Sequence, residues 1–182
     1  MNYFVPAQIA AQLLSLLVFG TMARWYVAPR LAVLPRADAL IPLLWIHVFR
    51  YIALQAFSAQ RDGFPVSDGH LLHIVIGDLL GAGIALVTIF ALRFRLRAGI
   101  ILTWVLVVTT IYDTVTNIQG GAQEQLLGKA SGVTWLVLGI YVPLLLVSVI
   151  MLVWQLYTRR GEALDSAGTP AAPRRAAVLR TS

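Results

Sequence analysis

The sequence predicts an all-α, polytopic membrane protein with five transmembrane helices, and three observations carry that prediction. First, the 182 residues are 59% hydrophobic and only 12% charged, with a mean hydropathy of +0.79, whereas soluble domains carry roughly 25% charged residues. Second, five apolar stretches each reach the roughly 17–25 residues that a spanning helix needs. Third, the basic residues lie beside these stretches, as a membrane topology requires, which disfavours nucleic acid as a partner.

The five predicted spans are joined by short connections rich in Gly, Pro, Asp or Arg. Pro6 suits the first turn of the first helix, where a missing N–H leaves no hydrogen bond unmade. Asp38 is the predicted N-cap of the second helix. Residues 1–157 are therefore expected to form one transmembrane domain. The predicted helices run from about Pro6 to Val27, Asp38 to Ser58, His70 to Leu92, Ala98 to Ile118 and Val133 to Tyr157.

The distribution of Lys and Arg predicts the orientation of the helices, because cytoplasmic connections carry the excess of basic residues. Arg61 and Lys129 lie in the second and fourth connections, whereas the first connection, the third and the C-terminal tail are strongly basic. The N-terminus is therefore expected outside and the C-terminus in the cytoplasm. The basic residues assigned to the cytoplasmic side are Arg24, Arg30, Arg36, Arg93, Arg95, Arg97, Arg159, Arg160, Arg174, Arg175 and Arg180.

Residues 158–182 consist mainly of Ala, Pro, Arg, Gly and Ser. So little apolar bulk predicts a disordered, basic cytoplasmic tail. Its arginines, like those of the basic connections, are expected to contact anionic lipid headgroups. The chain has no cysteine, so disulfides, thiolate metal sites and cysteine nucleophiles are excluded.

Ionisable side chains inside three of the predicted spans are the feature that points to a function. His47 and Arg50 share one face of the second helix at i, i+3, Asp78 lies in the third and Asp113 in the fourth. Each charge costs roughly 2.5–3.5 kcal/mol at membrane depth unless it is paired. At 1.5 Å rise per residue, the arginine and both aspartates fall roughly 8–12 Å below the outer boundary. We therefore expect Arg50 to lie between Asp78 and Asp113, with these four residues and Asn117 forming one ligand or proton site.

Further polar residues and a proline are expected to support this site. Asn117 shares the helix face of Asp113 at i, i+4. Pro143 cannot donate to the carbonyl of Gly139, so it should kink the fifth helix and leave that carbonyl free beside the polar layer. The predicted supporting residues are Gln12, Gln55, Tyr141 and Pro143.

Gly77 and Gly81 form a G-x-x-x-G pattern in the third span, which lets another helix approach closely. The pattern is compatible with a homodimer and also with close packing inside the chain. Five spans offer many internal neighbours, which favours internal packing.

Two histidines near the outer end of the third span, His70 and His73, raise the question of a metal. With Asp68 they form an incomplete pattern for Zn²⁺ or Cu²⁺, and histidines at a membrane interface more often have no ligand. A haem between His47 and either of them is disfavoured, because His47 lies roughly 12 Å deeper than His73 at helical rise. Neither metal nor haem is therefore expected.

The residues His47-Val-Phe-Arg50, Gly77-Asp78 and Asp113 resemble the pattern of an uncharacterised family of small bacterial multi-pass membrane proteins. That family has His-Ala-Phe-Arg in the second span, Gly-Asp in the third, Asp in the fourth and Pro in the last, and the likeness covers roughly residues 25–157. The chain departs from the pattern at Val48, where Ala is usual, and at residues 109–111, where Thr-Thr-Ile replaces an Asn and a Gly. The resemblance implies the inner membrane of a bacterium and supports treating the ionisable residues as one unit, but it implies no reaction.

Three functions are compatible with these residues. Two carboxylates against one guanidinium leave a nominal charge of −1, so either His47 or one aspartate holds a proton, and both cases suit proton coupling. The first hypothesis is therefore a protein that binds or transports protons or a small polar or anionic solute.

The second hypothesis is a membrane enzyme acting on a lipid or quinone, with His47 and an aspartate as acid and base. The chain has no G-x-S-x-G, H-E-x-x-H or phosphate-binding loop, which disfavours an enzyme. The third is an accessory subunit of a membrane complex, which needs only the packing and the ion pair.

Overall fold

The computed structural model describes residues 3–165, and its regular elements are all helical. In that range five helices are long and apolar enough to cross a membrane, which confirms the predicted all-α class and the predicted number of candidate spans. They are α1 (Phe4–Val33), α2 (Arg36–Arg61), α3 (Asp68–Arg93), α4 (Ala98–Gln123) and α5 (Gly132–Thr158). Most of the predicted tail, with Arg174, Arg175 and Arg180, lies outside the described residues.

The first helix is longer than predicted because it passes through a proline. A π-helical segment at Ala23–Val27 precedes Pro29, and the N–H of Ala28 reaches the carbonyl of Ala23, five residues back. Such a widened turn re-pairs the backbone where the proline offers no N–H. The helix therefore continues to Val33, six residues beyond the predicted end at Val27.

The start of the second helix corrects one prediction. Its N-cap is Pro35, and α2 begins at Arg36, so Asp38 lies in the first turn instead of capping it. The carboxylate of Asp38 pairs with Arg95 at 2.9 Å. A carboxylate in the first turn is also favoured by the positive end of the helix dipole.

Helices α2 to α5 form the body of the bundle. Helix α3 packs between α2 and α4, and α5 packs against α2 and α1. Only 6% of the most apolar window of α1 is buried, against 33–39% in the other helices, so α1 lies at the periphery. The short connections make successive helices antiparallel. We call the end where α1 begins the amino-terminal end and the opposite end the carboxy-terminal end.

The main hydrophobic core lies in the carboxy-terminal half of the bundle. Every member of this cluster comes from the second half of α1, α3 or α5, or from the first half of α2 or α4. Burial of these side chains is what holds that half closed. Its fully enclosed members are Ala37, Ala39, Leu40, Leu44, Ala85, Leu92, Leu106, Leu152 and Leu156.

Candidate functional site

Arg50 of α2 is hydrogen-bonded to residues of α3 and α4 at the middle of the bundle. Its Nε donates to Asp78 Oδ1 of α3 at 2.7 Å, its Nη1 to Thr110 Oγ1 of α4 at 2.9 Å, and its Nη2 to Asp113 Oδ2 of α4. The side chain of Arg50 is only 2% exposed, against 22% for Asp78 and 12% for Asp113. The predicted position of Arg50 between the two aspartates is confirmed. We call Arg50, Asp78, Thr110 and Asp113 the arginine cluster.

The backbone of α2 changes where it presents this arginine. Residues Phe49–Leu54 adopt 3₁₀ pairing between two α-helical segments. A tighter turn inside a long helix often marks a hinge or a strained position. The arginine cluster therefore sits on an irregular stretch of α2 and on regular turns of α3 and α4.

Two glycines of α3 make room for the arginine cluster. A Cβ added at Gly81 would lie 2.5 Å from Arg50 Nη1, and one added at Gly77 would overlap the carboxylate of Asp113. Neither neighbour can swing away, because Arg50 is held by three hydrogen bonds and Asp113 by that arginine. The G-x-x-x-G pattern therefore serves contacts inside the chain.

The arginine cluster lies closer to the centre of the bundle than predicted. At 1.5 Å per residue, each of the three charged residues lies roughly 15 Å from the amino-terminal end of the bundle. The distance is counted along the helix from Arg61 to Arg50, from Asp68 to Asp78 and from Gln123 to Asp113. The difference arises because α2 and α4 continue to Arg61 and Gln123, beyond the ends that the sequence predicts. The three charged residues nevertheless lie at the same depth on their three helices, as expected.

The hydrogen-bond partner of His47 lies outside the arginine cluster. It is fully buried, and its Nε2 lies 2.7 Å from Ser148 Oγ of α5. Its Nδ1 has no hydrogen-bond partner among the described residues. The prediction of a single unit therefore holds for Arg50, Asp78 and Asp113, while His47 joins α2 to α5 one turn further toward the carboxy-terminal end.

The predicted supporting residues fall at three different places. Asn117, predicted as part of the site itself, lies one turn from Asp113 on the same face of α4 and within reach of its carboxylate. Gln55 accepts a hydrogen bond from Thr134 of α5 at 3.2 Å, and the hydroxyl of Tyr141 donates to the carbonyl of Ile46 at 2.8 Å. Each of these two bonds joins α2 to α5.

Gln12 serves the backbone beside Pro143. The turn at Val137–Tyr141 is π-helical, with Val142 N–H bonded to Val137 O. In that pairing Pro143 is the residue that would serve the carbonyl of Leu138, and it has no N–H. Gln12 Nε2 donates to this carbonyl at 3.3 Å. In π pairing, Pro143 therefore leaves the carbonyl of Leu138 without its backbone donor. The sequence, read as regular α pairing, predicted this for the carbonyl of Gly139.

Two hydroxyls were missed from sequence. Thr110 shares the face of Asp113 at i, i+3, which could have placed it beside Arg50. Ser148 is a lone hydroxyl in the apolar run of α5, and nothing in its spacing points to His47. Hydroxyls are hard to assign because they can also bond their own helix backbone.

A cleft of about 380 Å³ opens between α3 and α4 beside the arginine cluster. Arg50 and Asp113 line it, and Asp78 does not. The remaining wall is mixed polar and apolar, so the carboxylate of Asp113 is the one that faces this cleft, although the side chain of Asp78 is the more exposed of the two. The other lining residues are His73, Ile76, Gly77, Leu80, Gly81, Ile84, Thr109 and Tyr112.

The histidines of α3 have separate partners. His70 Nδ1 lies 3.2 Å from Glu124 Oε2, and His73 Nε2 lies 3.2 Å from Thr116 Oγ1. In residues 3–165 no group of three or more His, Cys, Asp or Glu side chains is placed to hold a metal ion. The two rings thus contact different residues, one turn apart, along the seam between α3 and α4.

A family model described as "Domain of unknown function (DUF8737)" matches residues 7–157. The match spans the chain from the first turns of α1 to the last turn of α5 and includes the whole arginine cluster. It confirms the predicted resemblance to an uncharacterised family. No curated protein and no solved structure matches the chain.

Proposed function

The chain belongs to the DUF8737 family of unknown function, and from its site we propose a membrane protein that binds protons at the arginine cluster. In this proposal the bundle lies in the inner membrane of a bacterium. The amino-terminal end faces outward, and the cluster exchanges protons with that side.

The observation that carries the proposal is that one buried and one half-buried carboxylate share a single buried guanidinium. Asp78 and Asp113 both accept hydrogen bonds from Arg50, so the cluster has a nominal charge of −1 when both aspartates are ionised. An unbalanced charge inside a membrane is expensive. Binding one proton removes the imbalance without breaking the remaining ion pair.

A proton fits this arrangement better than an anion. The three guanidinium nitrogens of Arg50 already have partners in Asp78, Thr110 and Asp113. An anionic solute would have to displace one of these groups and would add to the negative charge. A divalent cation would overshoot a deficit of one charge.

Exchange at one side follows from the distribution of polar groups along the bundle. The carboxy-terminal half is filled by the main hydrophobic core, with Leu40, Leu106 and Leu152 fully buried. Polar side chains buried in that half, such as His47 and Thr103, make no hydrogen bond to the arginine cluster in the described part of the chain. The proposal is therefore proton binding from the amino-terminal end, and translocation would require that core to open.

Infrared difference spectroscopy on protein reconstituted in lipid tests the proposal. Between about pH 4 and pH 9, we expect a protonated-carboxyl band that grows on acidification and is lost or shifted in Asp78→Asn or Asp113→Asn. Asp62→Asn is the matched control, because the Asp62 side chain is 66% exposed and lies in a connection. If the parent and both cluster variants gave the same spectra, the carboxylates would not bind the proton.

The proposed orientation has a separate test, since the chain has no cysteine of its own. Ser131→Cys lies in the connection before α5, and Leu96→Cys in the connection between α3 and α4; both positions are exposed. In intact bacterial cells a membrane-impermeant maleimide should label the cysteine at 131 and should label the one at 96 only after permeabilisation. The reverse pattern would invert the orientation.

A further inference from the structure

Polar contacts continue from the arginine cluster to the amino-terminal end along the seam between α3 and α4. The outermost is Glu124 with His70, at 3.2 Å. One turn deeper, His73 meets Thr116, also at 3.2 Å. At the same level Asn117 lies within reach of the carboxylate of Asp113, which is one turn deeper on α4. The other side of the cluster has no such series in the described residues, because the hydrophobic core begins there.

The cleft beside the arginine cluster follows this seam. From the start of α3, its lining runs from His73 at roughly 8 Å to Ile84 at roughly 24 Å, at 1.5 Å per residue. His73 is exposed, whereas Asp113 is buried. His73 therefore stands at the shallow end of the cleft, and Asp113 and Arg50 form its polar floor.

The helix spacing explains why the cleft exists. His73, Gly77 and Gly81 recur every four residues and so lie on one face of α3. The two glycines leave open the space that side chains would fill. That space receives Arg50 and Asp113 from the sides and leaves the remainder as the cleft.

The hydrogen bonds of Thr116 indicate which nitrogen of His73 carries its proton. The Thr116 hydroxyl is within donating distance of the backbone carbonyls of Asp113, at 2.9 Å, and Tyr112, at 3.1 Å. With its hydrogen used there, its oxygen accepts from His73 Nε2–H. Nδ1 of the neutral ring is then the basic nitrogen, free to take up an incoming proton.

We infer that the cleft between α3 and α4 is a hydrated access route by which protons reach Asp113, with His73 as the proton carrier at its shallow end. The inference rests on the proposed function. A proton from water binds His73 Nδ1, and the imidazolium then gives a proton through water to a carboxylate oxygen of Asp113, which returns the ring to neutrality. Histidine suits this step because it exchanges protons near neutral pH.

The groups around His73 favour delivery inward. The titratable or charged groups that share the cleft or the seam with His73 are Asp113 and Tyr112 of α4, Arg50 of α2, His70 one turn earlier on α3, and Glu124 beyond α4. Asp113 is the acceptor among them that faces the same cleft. Asp78 does not line the cleft, so it holds Arg50 while Asp113 exchanges the proton.

Cysteine accessibility tests whether the cleft contains water, and the cysteine-free chain gives no background. Thr109→Cys places a thiol on the cleft wall. Val108→Cys is the matched control, adjacent and 62% exposed but not part of the wall. In lipid nanodiscs, trimethylammonioethyl methanethiosulfonate should modify the cysteine at 109 at least about tenfold faster, because only a hydrated thiol ionises readily.

The charge of the reagent tests the predicted selectivity. The anionic sulfonatoethyl methanethiosulfonate should react with Thr109→Cys more slowly than the cationic reagent at a pH where both aspartates are ionised, because the cluster then has a nominal charge of −1. Equal reaction of the cysteines at 109 and 108 would mean that lipid or close packing fills the cleft, and the access route would be wrong. That outcome is independent of whether the arginine cluster itself binds a proton.

The role of His73 is tested by the rate of protonation after a pH jump, followed by time-resolved infrared spectroscopy. His73→Gln should slow the Asp113 signal at least about tenfold, within the range expected for loss of a proton-transfer group, and added imidazole should restore it. His70→Gln is the control, since His70 pairs with Glu124 and does not line the cleft. An unchanged rate in His73→Gln, with the parent signal present, would remove His73 from the route while leaving the proposed function intact.

Discussion

At the scale of single residues, Arg50 decides whether the middle of the bundle is stable. It is 2% exposed and holds both aspartates and Thr110. A buried ion pair is a modest source of stability when complete, but removing one partner leaves the other charges without compensation. The three charged residues therefore form one energetic unit, and single substitutions in it should not be additive.

Loss of Arg50 alone should destabilise the fold more than loss of the whole charged set. Arg50→Gln leaves two buried carboxylates facing each other and should lower the free energy of unfolding by about 3–5 kcal/mol. The triple variant with Asp78→Asn and Asp113→Asn should regain at least about 2 kcal/mol of that loss. Equilibrium unfolding in mild detergent measures both. Additive losses in the triple variant would contradict the coupling.

Gly81 and Gly83 provide a matched pair on α3. Gly81→Ala should lower the unfolding free energy by about 1–3 kcal/mol, because the new Cβ meets a guanidinium that cannot move. Gly83 has nothing within 4 Å of the same added atom, so Gly83→Ala should be neutral or raise it by about 0.5–1 kcal/mol. Thermal unfolding of both variants is the measurement. Similar losses in both would show that general flexibility of α3, and not the arginine cluster, requires glycine.

Residue-scale prediction from sequence succeeded for charges and failed for hydroxyls. Arg50, Asp78 and Asp113 could be expected to converge because an unpaired charge is excluded from lipid. A hydroxyl such as that of Ser148 or Thr110 costs little free energy at the same depth, because it can bond to its own helix backbone. The sequence therefore could not predict which residues these hydroxyls contact. The same reasoning placed His47 with the aspartates, whereas its Nε2 lies 2.7 Å from the hydroxyl of Ser148.

At the scale of elements, prolines inside the spans are accommodated by widened turns. Pro29 follows the π segment Ala23–Val27, and Pro143 follows Val137–Tyr141, each two residues after the segment ends. The sequence predicted an end or a kink at these positions because proline breaks α pairing. It could not predict that one extra residue per turn lets each helix continue.

The side chain of Gln12 should contribute to docking of α1 only while Leu138 lacks a backbone partner. Gln12→Met should lower the unfolding free energy by about 0.6 kcal/mol, and by at most about 1.7, as for other hydrogen bonds between membrane helices. In a Pro143→Ala background, where residue 143 regains an N–H, the same substitution should have a smaller effect. A double-mutant cycle by reversible unfolding measures the difference.

Thr21→Val is the control for that cycle, because the Thr21 hydroxyl is exposed and bonds only to the carbonyl of Leu17 in its own helix. It should have the same effect in both backgrounds. If Gln12→Met did so too, the carbonyl of Leu138 would not be the group that Gln12 serves.

At the scale of the whole molecule, the two ends of the bundle are closed by different means. At the amino-terminal end, Ser67 joins the α2–α3 connection to the α4–α5 connection, since both its hydroxyl and its backbone N–H donate to Glu124. At the carboxy-terminal end, Arg159 is buried and donates to the carbonyl of Leu34 at 3.0 Å, while Arg95 pairs with Asp38. At the amino-terminal end the closing contact joins a serine to a carboxylate, whereas at the carboxy-terminal end arginines bond both to a backbone carbonyl and to carboxylates.

Acid should loosen the amino-terminal end first. The hydrogen bond from the Ser67 side chain lowers the pKa of Glu124 from its usual 4.5. The contribution of this contact to stability is therefore complete above the ordinary value and is lost as pH falls through the lower folded value. Hydrogen exchange in residues 62–67 and 124–131 should accelerate at about pH 3 relative to about pH 6, beyond the intrinsic effect of pH.

Ser67→Ala should already show the faster exchange near neutral pH and should lose most of the acid effect. Ser131→Ala is the control, because the Ser131 side chain makes no cap hydrogen bond and lies in the same pair of connections. Acid sensitivity that persisted in Ser67→Ala would assign the effect to another group.

The overall architecture was the most predictable level, because five apolar stretches of spanning length leave few alternatives. The position of the arginine cluster along the bundle was less predictable. Polar residues such as Gln119 and Gln123 extend α4 beyond the apolar window, and helix pairing continues past the point where hydrophobicity fades. Polar contacts lie toward the amino-terminal end and the main hydrophobic core toward the carboxy-terminal end because of the helix faces that pack together there. The composition of the chain alone does not indicate this distribution.

In the proposed function, the location of the arginine cluster part of the way across the bundle makes its proton occupancy sensitive to membrane potential. A proton arriving from the amino-terminal end crosses about a third of a hydrocarbon layer of roughly 30 Å. At about 2.3 kcal/mol per charge for each 100 mV across the full thickness, that fraction corresponds to about 0.8 kcal/mol, or roughly a fourfold change in proton occupancy. With the proposed orientation, energised cells would fill the cluster at a higher external pH than de-energised cells, so its charge state would report the electrical state of the membrane.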